Sequence, residues 1–120
     1  MVYKHIVMWK FKEQHNGKSA LENARWMKEQ LEALVGVVPE LLSAEVGISP
    51  ALEQAAAVPS NAAAAPAPAA SGEYDACLVS TFASPEALAA YKVHPKHKAI
   101  SAYCKEARVK RLAFDWWSEE

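Results

Sequence analysis

Apolar positions along the chain recur with a period of two in some stretches and near 3.6 in others. Tyr3 to Phe11 is rich in β-branched and aromatic residues. In an extended chain His5, Val7, Trp9 and Phe11 share one side, while Ile6 and Met8 share the other, which predicts a strand with two apolar faces. Asn16-Gly17 is a turn signal. Ser19 and Glu22 then have the spacing of a capping box, in which each side chain satisfies a free backbone N–H of the other. Leu21, Ala24, Met27, Leu31, Leu34 and Val35 follow on one helical stripe, with Gly36 and Pro39 as the stop. Leu42, Ala44, Val46 and Ile48 alternate with Ser43, Glu45 and Gly47, which predicts a second strand with one apolar face.

The pattern is lost from Ser49 to Gly72, where eleven of 24 residues are alanine and four are proline. This composition predicts a long insertion joining two strands, with a short helix over Ala51 to Val58 and an extended AAAAPAPAA run. Trp26 lies about opposite the Leu21–Leu31 stripe, and the proline-rich insertion is expected to fold back over it. Tyr74 to Phe82 reads as a third strand, with Leu78 and Phe82 on one face and Cys77 and Val79 on the other. Ser84-Pro85 opens a helix, serine as cap and proline at the first helical position. That helix is expected to stop near His94, because a residue before proline is pushed out of the helical region. Pro95 begins a second helical piece to about Ala107, and Val109 to Trp117 is the last strand, with Leu112, Phe114 and Trp116 alternating.

Strand, helix, strand, strand, helix, strand is the order of a ferredoxin-like βαββαβ protomer, an α+β fold in which two helices cover one face of an antiparallel sheet. Ile6, Met8, Cys77 and Val79 then lie on the uncovered face, an apolar patch of a kind that monomers avoid. A homodimer paired through this sheet face is the expectation.

The whole chain, 1–120, is one domain by length, with the Ala/Pro-rich insertion at 49–72 inside it. Its net charge of -1 gives no global bias toward nucleic acid or membrane, so neither is an expected partner. Charge is nevertheless uneven: Lys92, Lys96, Lys98, Lys105, Arg108, Lys110 and Arg111 face only Glu106 in their stretch. This is either a solvated basic face or an anion-attracting rim around a pocket. Cys77 and Cys104 make neither a disulfide framework nor a metal pattern, and the lysine-broken start is no signal peptide or membrane span. A cytoplasmic location is expected.

The chemistry-bearing candidates are histidines. With Pro95 at the first helical position, His94 sits at the cap, either on the rim of a pocket or capping the helix. His97 shares a helical stripe with Ile100, Ser101, Cys104 and Ala107, facing the sheet. Burial and the helix N-terminus both favour a neutral imidazole at His97, able to take or relay a proton. Three readings stand side by side: a hydrogen-bonded core histidine, a general base, and a metal ligand. The last is the weakest, since H-x-x-H has no carboxylate or thiolate near it in sequence, so no metal is expected. Cys104 lies two turns from His97, roughly 10 Å at helical rise, too far for a Cys–His nucleophile pair. His5, on the face with Val7 and Trp9, is placed to meet His97 across the sheet–helix interface.

The opening YKHIVMWKFK, GVVPELLSAEVG, the EYD before the third strand and AYKVHPKHKAI together resemble the stress-responsive A/B barrel (Dabb) domain family. The resemblance covers nearly the whole chain outside the insertion. It implies a ferredoxin-like protomer that pairs sheet to sheet into a dimeric α+β barrel. A plant member of the family is a polyketide cyclase that uses a histidine base and no metal or other cofactor. Its essential histidines match His5 and His97, and a pocket tyrosine matches Tyr91. Leu31 stands where it has a second tyrosine, a departure that removes the partner of its catalytic histidine. The resemblance also implies a pocket between sheet and helices, lined by Val7, Trp9, Met27, Leu78, Ile100 and Tyr103, with Leu31 and His94 also at the ligand. The resulting expectation is a homodimer that binds a small organic ligand. One alternative is a cofactor-free enzyme with His97 as general base and His5 and Tyr91 orienting the substrate; the other is a structural or stress-protective assembly protein.

Overall fold

The computed structural model describes residues 1–57 and 72–119. The AAAAPAPAA run and its expected packing over Trp26 lie outside them. Strand β1 (Val2–Phe11) leads into a small hairpin of β2 (Gln14–His15) and β3 (Lys18–Ser19). Asn16 and Gly17, with φ of 56° and 74°, form its two-residue loop, the left-handed pair that such a tight turn requires. Helix α1 (Ala20–Glu32) starts on the expected capping box: Glu22 N–H donates to Ser19 Oγ and Ser19 N–H to Glu22 Oε1, both at 3.1 Å.

Strand β4 (Ser43–Ile48) and helix α2 (Pro50–Ala57) follow, then β5 (Ala76–Phe82). The second helical unit is broken by Pro95 into α3 (Pro85–Val93) and α4 (Pro95–Ala107), and β6 (Arg108–Ser118) closes the fold. The main sheet is antiparallel in the order β4-β5-β1-β6, the ferredoxin-like arrangement.

The helices bury the sheet face that carries His5, Val7, Trp9 and Phe11 of β1 with Leu78 and Phe82 of β5. Met27, Leu31, Ile100 and Cys104 come down onto it from α1 and α4. Each fully buried side chain of this kind contributes about 1.5–3 kcal/mol. Two polar clips set the strand ends. Glu32 accepts from Val46 N–H at 2.9 Å, tying α1 to β4. Buried Asp75, the aspartate of the EYD stretch, accepts from Phe11 N–H at 2.9 Å and Lys10 Nζ at 3.1 Å, holding the far end of β1 beside β5.

Three details differ from the periodicity. Helix α1 stops at Glu32, before Gly36, and the chain turns there through Gly36 at φ 86°, so Val35 leaves the stripe and is 41% exposed. Leu42 is 51% exposed because it precedes β4 and its pleat; Leu41 takes the interior place. Trp26 is not a bare exposed ring, because Tyr103 of α4 packs on it with centroids 4.6 Å apart.

Candidate functional site

Between α1, α4 and the inner face of the sheet lies a cavity of ≈ 240 Å³. Val7, Trp9 and Leu78 form its sheet wall, and Leu31 and Ile100 its helix wall, as expected for these five. His5 and His97 also line it. Strand β1 directs His5 inward by the same alternation that buries Val7, and Pro95 sets the phase of α4 that turns His97 inward with Ile100.

His5 is 3% exposed, and its Nδ1 lies 2.5 Å from Asp115 Oδ1. Register places the two directly opposite on β1 and β6. A carboxylate accepts, so the proton is on Nδ1 and Nε2 is the basic nitrogen of the neutral ring. His97 Nδ1 donates to the carbonyl of Lys92 at 3.2 Å, which assigns the same tautomer and again leaves Nε2 bare. Neither Nε2 has a partner among the described residues.

Both imidazoles have pKa values below the usual histidine value. For His5 the main cause is burial, opposed by the hydrogen bond and charge of Asp115. For His97 burial again dominates, opposed by the Lys92 carbonyl and reinforced by the nearness of His5, whose protonation would repel a second charge, and by the positive charges of Arg111 and Lys92. Asp115 thus makes the pair asymmetric: it steadies a proton on His5, and His97 has no carboxylate of its own.

The remaining expected site residues are placed differently. Tyr91 is fully buried and does not line the cavity; it stacks on His97 at 4.3 Å and on Phe82 at 5.1 Å, so it positions His97. Its hydroxyl has no partner among the described residues, and burial pushes its pKa up. His94 does not reach the ligand space either: its Nδ1 is spent accepting from Lys96 N–H at 3.1 Å as the cap of α4. Met27 lies in the core behind the cavity wall. Tyr103 faces away from the cavity, since it lies 600° of helical turn from His97 by ~100° per residue, whereas Cys104 returns to the same side. Tyr103 instead donates to Asn23 Oδ1 and packs against Trp26 and His15.

Further residues complete the site: Asp115 behind His5, Ser101 and Cys104 of the His97 stripe, and Lys92, Arg108 and Arg111 of the uneven basic stretch, the last five lining the cavity. The alternation of Leu112, Phe114 and Trp116 on one side of β6 implies Arg111 and Asp115 on the other, and that was the available signal. Cys104 is buried, which pushes its thiol up to about 12 and leaves it unreactive at neutral pH. Among the described residues no group of three or more His, Cys, Asp or Glu side chains could hold a metal ion. No helix among them is long and apolar enough to cross a membrane.

Comparison with known proteins gives this site a family. No curated protein matches the chain. Among solved structures it is similar to a dimeric, ferredoxin-like protein of unknown function from Bacteroides fragilis, at 23% identity and a TM-score of 0.72, over 98% of this chain and 96% of that one. It is similar to a Dabb family protein with a ferredoxin-like fold from Mesorhizobium loti, at 16% identity and a TM-score of 0.63, over 99% and 98%. It is also similar to the hydroxynitrile lyase of Passiflora edulis, at 16% identity and a TM-score of 0.68, over 99% and 95%. These likenesses establish the shared fold. The model described as Stress responsive A/B Barrel Domain matches residues 3–118, from the strand that carries His5 to the strand that carries Asp115. The chain belongs to the stress-responsive A/B barrel (Dabb) family.

Proposed function

We propose that the protein is a homodimer whose protomers each bind a small organic molecule in the cavity between sheet and helices. The observation that carries this reading is the cavity's composition: an apolar wall of Val7, Trp9, Leu31, Leu78 and Ile100, with two neutral imidazoles whose Nε2 atoms lack a protein partner. A hydroxyl or enol of a bound molecule can donate to these acceptors. Native mass spectrometry of freshly purified protein tests this directly. A retained small molecule, absent from His97→Ala, is the expected result; wild type and His97→Ala with identical mass and identical affinity for small hydroxy compounds would overturn it.

Dimerisation is supported by the outer sheet face, where Ile6, Met8, Cys77, Val79, Leu112 and Phe114 lie together by register and no helix among the described residues covers them. The Bacteroides fragilis relative is described as dimeric.

A second reading, turnover, is favoured by the Asp115–His5 pair. A carboxylate on Nδ1 fixes the tautomer and stabilises the imidazolium that forms when Nε2 takes a proton. In this reading His97 is the general base that removes a proton next to a carbonyl, and His5 with Asp115 provides the second place where a proton can rest. Exchange of the methyl protons of acetophenone with deuterated solvent is a minimal assay. Exchange by wild type, lost in His97→Ala and reduced in Asp115→Asn, supports turnover; exchange equal in all three argues for binding alone.

A further inference from the structure

We infer that the ligand of this cavity carries a carboxylate, seated by Arg108 and Arg111 with Lys92 beside them. The inference rests on the cavity being a ligand site and adds the class of molecule. The four charged or titratable groups that β6, α3 and the α4–β6 junction contribute around His5 and His97 are Lys92, Arg108, Arg111 and Asp115. Three are cations that line the cavity. The fourth, Asp115, is bonded to His5. Among the described residues, none of the three cationic side chains has an ion-pair or hydrogen-bond partner.

Lys10, Lys28 and Lys110 each sit 2.7 to 3.1 Å from a carboxylate, Asp75, Glu32 and Glu73 respectively. Around the cavity three cations are gathered, and the carboxylate that acts on Arg111, Asp115, is already bonded to His5. Arg111 pairs with Trp9 in the strand register, so it belongs to the inner face beside the apolar wall. Arg108 caps the end of α4, its N–H bonded to the carbonyl of Cys104, which also lines the cavity. Partial burial and the neighbouring Arg108 both work against the charge of Arg111, opposed in part by Asp115, and an anion in the cavity would add to that relief. Guanidinium groups present planar forks of donors that match the two oxygens of a carboxylate. The ligand therefore has an apolar body against Trp9, Leu31, Leu78 and Ile100 and a carboxylate at the arginines.

Benzoate and benzamide test this, since they share a body and a planar head and differ in charge. Each is titrated into the full-length protein and followed by backbone amide NMR shifts of the cavity residues. Benzoate is expected to bind at least tenfold tighter than benzamide at low salt, and the difference should shrink as ionic strength rises. In Arg108→Gln/Arg111→Gln the preference for benzoate over benzamide should vanish. The single variant Arg111→Gln is the second measurement if the double variant fails to fold. Equal affinity of the two probes for wild type overturns the carboxylate assignment and leaves the cavity reading standing. No shift at any cavity residue with either probe overturns both.

Discussion

The two faces of the four-stranded sheet are made from alternate residues of the same strands, yet they carry opposite kinds of surface. The inner face, roofed by the protein's own helices, holds polar groups among its apolar ones: His5, Ser80, Asp115 and Arg111. The outer face, which no helix among the described residues covers, has Ile6, Met8, Val79, Leu112 and Phe114 at its centre, with Phe114 63% exposed. A soluble fold left to itself does the reverse. The difference teaches that roofing and chemistry go together here. Helices cover the side that carries the imidazoles, and in the proposed dimer a second copy covers the other.

The sharpest break of that comparison is Phe114→Asp. It removes an apolar side chain from each of two copies and puts a carboxylate in its place. At about 1.5–3 kcal/mol per buried side chain, the two copies lose on the order of 3–6 kcal/mol of association. That is a weakening of roughly two to four orders of magnitude in dimer affinity. Sedimentation velocity at micromolar concentration should show a folded monomer. Because Phe114 and the cavity are on opposite faces, benzoate shifts at Ile100 should persist in that monomer. A Phe114→Asp protein that remains a dimer would show that another surface does the pairing.

How much of this was legible in the sequence follows from the range of each interaction. The two-faced alternation of β1 is local, and it correctly separated Val7 and Trp9 from Ile6 and Met8. Pro95 is local too, and it placed His97 inward. Asp115 is 110 residues from His5, and nothing near either residue announces their pairing; only the β1–β6 register does. Tyr103 shows the opposite failure. Helical phase already set it apart from His97, Ile100 and Cys104, and resemblance alone placed it in the pocket. Its hydroxyl serves Asn23, a contact between helices that one-dimensional periodicity does not record. Leu42 failed for a local reason, since alternation begins only where β4 begins.

An intermediate effect sharpens the comparison from the inner side. His5 and His97 have folded-state pKa values below the ordinary value of about 6.5, chiefly through burial. The unfolded chain therefore binds more protons than the folded one as pH falls from about 7 through 6.5 and below. The stability these neutral rings contribute is fully present above pH 6.5 and is lost as pH falls toward their folded values. Urea midpoints measured from pH 7.5 to 5.0 should decrease on acidification, with an unchanged slope against denaturant. His97→Gln removes one of the two groups and should flatten the decline. An identical decline in wild type and His97→Gln would mean that this ring titrates alike in both states.

The smallest effect separates two histidines only three residues apart. His94 is held extended, at φ −63° and ψ 134°, by the proline that follows it, and from there its Nδ1 caps α4 through Lys96 N–H. His97, one turn on, lines the cavity. A side-chain cap of this kind is worth about 0.5–2 kcal/mol, and a ring making a single 3.1 Å bond belongs at the lower end. His94→Ala should therefore lower stability by about 0.5–1 kcal/mol by urea unfolding. His94→Asn, whose side chain is a strong cap, should recover most of that loss. Benzoate affinity should be the same in all three proteins, because the ring of His94 faces the helix end and not the ligand. A folded His94→Ala protein that no longer binds would move the site outward to the rim and remove the distinction between the two residues.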